Sequence, residues 1–135
     1  MYKHILVPVV FDETHDTQAS FLAARALADK DAKFTVIHVV EAIPAYFTAE
    51  IPDDVLKNTH DGIAKSLTQS AKGLPGAVPT LVSGHAGRTL VDYANDNDVD
   101  CIVMASHRPG FSDIFLGSTA ARVVRHAKCA VHVIR

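Results

Sequence analysis

The residue types most able to do chemistry sit near the C-terminal end of the chain. Ala105-Ser106-His107-Arg108-Pro109-Gly110 follows an apolar run, and Gly117-Ser118-Thr119 begins seven residues after Gly110. Gly117 lets a ligand approach the backbone closely. Ser118 and Thr119 would open a helix, where unsatisfied N–H groups and the positive end of the dipole favour an anion. Their hydroxyls add donors. Arg108 adds a guanidinium suited to bidentate phosphate contact, and His107 adds a further donor. The plain structural alternative makes Ser118 an N-cap and Arg108 a solvated loop residue. The pattern is neither a GxxxxGK[ST] loop nor a GxGxxG turn after the first strand.

Such residues need elements that bring them together. Short β-branched runs cover Ile5–Val10, Phe34–Val40, Val78–Val82, Cys101–Ala105 and Ala130–Ile134. Runs that are apolar at nearly every position suggest strands buried on both faces of a parallel sheet. Pro79 suits an edge strand better than a central one. Helical periodicity covers Thr17–Asp29, Pro52–Lys72, Ala86–Asn97 and Ser118–Ala127. Pro52 fits a first turn, with Asp53 and Asp54 at the positive dipole end. Arg122, Arg125, His126 and Lys128 suit the opposite end of the last helix. Glu41–Ile51 reads as a loop over part of the sheet's carboxyl edge. The expected fold is α/β: a single doubly wound five-stranded parallel sheet with four helices, flavodoxin-like or Rossmann-like. In such sheets ligands bind beyond the carboxyl ends of the strands, at the switch in strand order.

Size and composition narrow the classes. The chain has 135 residues, 48% hydrophobic and 21% charged, which is one domain of ordinary globular usage over 1–135. A net charge of -2 demotes nucleic acid as a partner. No apolar stretch reaches membrane-span length, and the N-terminal residues lack a signal-peptide pattern, so a cytoplasmic protein is expected. Cys101 and Cys129 are too few for a disulfide framework, and their spacing fits no zinc site. His4, His38 and His132 fall within strands, where a partly buried, hydrogen-bonded imidazole is expected. His85 and His107 fall on loops at the ligand edge.

The segments Ile102-Val103-Met104-Ala105-Ser106-His107-Arg108-Pro109, Leu116-Gly117-Ser118-Thr119-Ala120-Ala121-Arg122-Val123-Val124-Arg125-His126-Ala127 and Val131-His132-Val133-Ile134-Arg135 resemble the C-terminal signature of the universal stress protein A superfamily. The Ser-His-Arg-Pro…Leu-Gly-Ser form is similar to its nucleotide-binding branch of bacterial F and G paralogues. Ile5-Leu6-Val7-Pro8-Val9 and Val36-Ile37-His38-Val39-Val40 also fit. The resemblance implies an adenine nucleotide alpha hydrolase-like fold, commonly dimeric through the last strand, and ATP or AMP bound with or without magnesium. Carried over by position, Ala105, Arg108 and Gly117-Ser118 stand where the family motif has its glycines and final Ser/Thr. Pro8, Val9 and Val10 would line the ribose and adenine side, and Val39 would offer backbone groups to adenine. Met104, Ala105, His107 and Arg108 would flank ribose and phosphates, and Gly117, Ser118 and Thr119 would hold phosphates. The family usually has an acidic residue where Val10 stands, and Asp12 is the nearest substitute.

Three functions follow. The first is an adenine-nucleotide-binding regulatory module of the stress response, acting as a homodimer with an unidentified protein partner. The second is a weak ATPase, for which no convincing base or metal site is visible and no catalytic residue is assigned. The third is an interaction module that binds no nucleotide, which Val10 favours. A phosphoacceptor receiver lacks its acidic pair after the first strand, and a flavin carrier lacks its phosphate loop there.

Overall fold

The computed structural model describes residues 1–11, 17–41, 45–106 and 116–135. Chain order is β1 (Tyr2–Pro8), α1 (Thr17–Leu27), β2 (Ala28–Val40), α2 (Ala45–Thr48), α3 (Asp53–Ala71), β3 (Val78–Ser83), α4 (Ala86–Asp96), β4 (Cys101–Ala105), α5 (Ser118–His126) and β5 (Ala130–Ile134). All strands are parallel, in the order β3-β2-β1-β4-β5. That is the Rossmann order rather than the flavodoxin order, and it puts the switch point between β1 and β4. Pro79 lies on β3, at an edge of the sheet, where a missing N–H costs no central ladder bond.

Side chains alternate across the sheet and build two cores. On one face Ile5, Val7, Val36, Cys101 and Val103 meet Phe21 and Ala24 of α1 and Leu67 and Ala71 of α3. On the other, Leu6, Ile37, Ile102 and Met104 meet Leu90, Val91 and Ala94 of α4 and Ala120 and Val123 of α5. Cys101 belongs to the first face, while Cys129 packs against the second, so the two thiols lie on opposite sides of the sheet.

Three expectations are corrected. The first helix ends at Leu27 rather than Asp29, because Ala28 already pairs with Tyr2 and the Met1 ammonium contacts the Asp29 carboxylate. The polar stretch that follows is an extension of β2, with a register shift between Tyr2 and His4. A fifth helix, the single turn α2, interrupts the expected loop after β2, with Tyr46 and Phe47 exposed and in ring contact. Third, His132, on the edge strand β5, is exposed rather than partly buried.

The amino edge of the sheet is closed by Asp100. Its carboxylate accepts from the N–H groups of Lys3 (2.8 Å) and His4 (2.9 Å), and its own N–H donates to the His4 carbonyl (3.1 Å). The His4 ring is buried between the Asn97 carbonyl (3.0 Å from Nδ1) and Thr35 Oγ1 (2.8 Å from Nε2). A carbonyl only accepts, so Nδ1 carries the proton and Nε2 accepts from the Thr35 hydroxyl. Burial holds this imidazole below its ordinary value.

Candidate functional site

A cavity of about 720 Å³ opens at the carboxyl edge of the sheet, over the switch point. Pro8, Val9 and Val10 line it from the end of β1 and Val39 from β2. Met104 and Ala105 line it from β4, and Gly117, Ser118 and Thr119 from the start of α5. Residues far apart in the chain, Pro8–Val10 on one side and Met104, Ala105 and Gly117–Thr119 on the other, converge because β1 and β4 are neighbours and both end at this edge. Asp12, His107 and Arg108 lie outside the described residues, as do Pro109 and Gly110.

Backbone hydrogen bonds fix the walls. The Ser106 N–H donates to the Ile134 carbonyl (2.8 Å), and the Ser106 carbonyl accepts from the Gly117 N–H (2.7 Å). One residue thereby joins the ends of β4 and β5 to the first turn of α5. Gly117 is the N-cap, with φ -57 and ψ 154, and its carbonyl accepts the first helical bond from Ala121 (2.8 Å). In this geometry the N–H groups of Ser118, Thr119 and Ala120 have no intrahelical acceptor. They are donors at the positive end of the dipole, and all three residues line the cavity.

The opposite wall is different. Val9 N–H donates to the Ile37 carbonyl (2.8 Å), extending the β1–β2 ladder past Pro8. His38 Nδ1 donates to the Val9 carbonyl (2.8 Å), and the Phe11 ring lies on the His38 ring at 4.7 Å between centroids. The lower end of the cavity is thus apolar, built from Pro8, Val9, Val10, Ile37 and Val39. Val10 is 45% exposed, an apolar side chain on the rim. Glu41, immediately after β2, is the sole charged side chain among the described lining residues. The cavity is therefore polarised: a carboxylate on the β2 side, helix N–H groups on the β4 side.

Several lining residues escape a linear reading. Thr17 and Ser20 enter from α1, Ala86 and Leu90 from α4, Ser106 from the end of β4. For the first two a signal existed, since a helix that follows β1 must also start at the carboxyl edge. His85, a loop candidate in the sequence, is instead the N-cap of α4, with Nδ1 accepting from the Arg88 N–H at 3.5 Å. It does not line the cavity. Among the described residues no group of three or more His, Cys, Asp or Glu could hold a metal ion, and no helix is long and apolar enough to cross a membrane.

Comparison with known proteins gives a consistent picture. The profile of the universal stress protein family matches residues 1–135. The chain is 30% identical to universal stress protein A homolog 2 of Coxiella burnetii, over 99% of this chain and 95% of that protein. It is 27% identical to universal stress protein G of Salmonella typhimurium, over the whole of both chains. Among solved structures, universal stress protein UspA from Lactobacillus plantarum is 29% identical, with a TM-score of 0.70 over 99% of this chain and 98% of that one. Three neighbours under 25% identical share the fold and were solved with nucleotides. They are a universal stress protein with cAMP (21% identity, TM-score 0.66, 99% of this chain and 97% of that one), the Archaeoglobus fulgidus protein with dAMP (20%, 0.62, 99% and 98%), and an Arabidopsis thaliana protein with AMP (16%, 0.61, 98% and 90%).

Proposed function

The chain belongs to the universal stress protein family, and from that premise we propose that it is a regulatory module that binds an adenine nucleotide, ATP or AMP, with or without magnesium. The observation that carries this reading is the polarised cavity at the β1/β4 switch point. Its volume lies within the usual range of small-molecule sites, about 300–1,000 Å³. The apolar wall of Pro8, Val9 and Val39 suits a base and sugar. The first-turn N–H groups of α5 suit a phosphate. Glu41 repels the anionic tail from the β2 side, so base and sugar lie over β1 and β2 and phosphate lies at Ser118 and Thr119. His107, Arg108 and Asp12 join the site in this reading: the first two at ribose and phosphate, the third near the ribose hydroxyls.

Binding rather than turnover is proposed. Phosphoryl transfer needs a positioned nucleophile and concentrated positive charge, and in this reading Arg108 brings a single guanidinium and no residue is assigned as a base. The protein acts in the cytoplasm as a homodimer through β5, whose outer edge carries unpaired backbone groups. A nucleotide then shifts assembly or a protein contact by its differential affinity for two states. The rival reading, an interaction module without nucleotide, draws on one observation: Val10 places an apolar side chain on the rim.

Calorimetric titration of the protein with ATP, AMP and sulfate separates the two. Saturable adenylate binding, weakened in Ser118→Ala and absent for sulfate, is expected. A stable dimer that binds no adenylate would leave the interaction module standing. Sedimentation of His132→Asp, which sets like charges against each other across a two-fold β5 edge, is expected to yield monomer.

A further inference from the structure

Charge is sorted along this chain. Residues 116–135 carry Arg122, Arg125, Lys128 and Arg135 and no acidic residue. Residues 41–56 carry Glu41, Glu50, Asp53 and Asp54 and no lysine, arginine or histidine. Four positive charges thus stand against four negative ones in a molecule whose net charge is -2. Among the described residues none of these side chains makes an ion pair. The helix dipole accounts for Asp53 and Asp54 at the start of α3 and for Arg125 in the last turn of α5. It does not account for Arg122 in the middle of α5, nor for the apolar groups left in water beside both sets of charges.

Those groups are specific. Tyr46 and Phe47 on α2 are 70% and 52% exposed, with ring centroids 4.4 Å apart, and Val55 on the first turn of α3 is exposed as well. On α5, Val124 is exposed beside Arg125. Arg122 is half-buried because its stem crosses the α4 backbone at Gly87, where an added Cβ would stand 2.7 Å from Arg122 Cδ and 3.2 Å from Cγ. A stem packed in this way has less freedom to lose when its guanidinium is engaged. A guanidinium stacks on an aromatic ring and pairs with a carboxylate, and the α2–α3 elbow offers both.

The two surfaces cannot meet within one molecule. α3 covers one face of the sheet through Leu67 and Ala71 and packs on β2 and β3, whereas α5 covers the other face through Ala120 and Val123 and packs on β5. β3 and β5 are opposite edges. We propose that the acidic, aromatic elbow of one copy docks on the basic outer face of α5 of a second copy. Glu50, Asp53 and Asp54 oppose Arg122, Arg125 and Lys128, while the Tyr46 and Phe47 rings cover Val124 and stack on a guanidinium. Placed on opposite faces and edges, the surfaces join copies head to tail rather than about a two-fold axis. The contact uses neither the cavity nor the β5 edge, so it stands apart from the nucleotide reading and adds copies beyond a β5 pair.

The test is sedimentation velocity of the full chain over a concentration series at about 50 mM and about 500 mM sodium chloride, the second of which cuts the screening length well below 10 Å. Arg125→Glu with Lys128→Glu reverses one surface and Glu50→Lys with Asp54→Lys the other, all at exposed positions, with melting curves to check the fold. The mean mass of the unaltered protein is expected to pass that of two copies at low salt, with association about tenfold weaker at high salt. Each double reversal alone is expected to weaken association at least tenfold, because it sets like charges against each other. An equimolar mixture of the two is expected to regain association, since the acidic α5 of one meets the basic elbow of the other. Tyr46→Ser with Phe47→Ser, which keeps every charge, is expected to weaken association as well. A mass that never passes two copies, association that survives both reversals, or a mixture no heavier than its components overturns the proposal. Saturable binding of a glutamate-rich peptide to a chain that does not self-associate would assign the α5 face to a foreign acidic partner and overturn it too.

Discussion

Replacing Ser118 by proline isolates one backbone N–H at the start of α5. Ser118 is the first helical residue, a position where proline is favoured because the lost N–H has no helical partner. The residue before a proline must be extended, and Gly117 already is, with φ -57 and ψ 154. The fold should therefore accept the change. The variant loses both a hydroxyl and an N–H, whereas Ser118→Ala loses the hydroxyl alone. A hydrogen bond to a charged group contributes about 1.5–3 kcal/mol, and every 1.4 kcal/mol is about tenfold in affinity. Ser118 is exposed, so water competes for the contact and the lower value applies. Ser118→Pro is expected to bind adenylate roughly tenfold more weakly than Ser118→Ala, measured by calorimetry, with melting temperatures that agree within a few degrees. Affinities within twofold of each other, at equal stability, would show that the α5 amides do not touch the ligand.

Further outcomes follow from the scaffold. Gly84 has φ +143, and a Cβ there would stand 2.5 Å from Thr89 Oγ1, so Gly84→Ala is expected to cost about 1–3 kcal/mol and lower the thermal midpoint by several degrees. Burial depresses the His4 value in the folded state, so below the ordinary value of 6.5 the unfolded chain binds the proton more readily. Stability is then complete above that pH and declines as pH falls through the window beneath it, by at most about 1.4 kcal/mol per unit, and His4→Gln flattens the slope in denaturant titrations. Burial pushes the Cys101 thiol up to about 11, so alkylation of the native protein at pH 8 is expected to label Cys129 well before Cys101, as read by peptide mass spectrometry. Thr35→Val keeps the shape of a fully buried side chain but removes the donor facing His4 Nε2, and is expected to cost about 1–3 kcal/mol in chemical denaturation.

How legible the protein was depends on the kind of signal. The central strands announced themselves, since Ile5-Leu6-Val7 and Cys101-Ile102-Val103-Met104 are apolar on every residue and buried on both faces. The exit from α1 was not legible. Asp29-Lys30-Asp31 reads as a helix end and polar turn, whereas pairing of Ala28 with Tyr2 draws the segment into β2. At the cavity, Pro8, Met104 and Gly117 could be placed from the rule that ligands sit beyond strand ends. Leu90 could not, because whether α4 flanks the cavity depends on strand order, and nothing local in the sequence fixes that order. His85 shows the opposite error: a histidine on a promising loop serves as an N-cap.

The bonds between Asp100 and the Lys3–His4 backbone join positions 96 and 97 residues apart. β1 occupies the middle of the sheet, yet Ile5 and Leu6 meet Cys101 and Ile102 only after most of the chain has been synthesised. A nascent chain that stops short of β4 thus displays the bare flank of its most apolar strand. During that interval the ribosome-bound protein is most exposed to mispairing, and a holdase that shields extended apolar segments would act there.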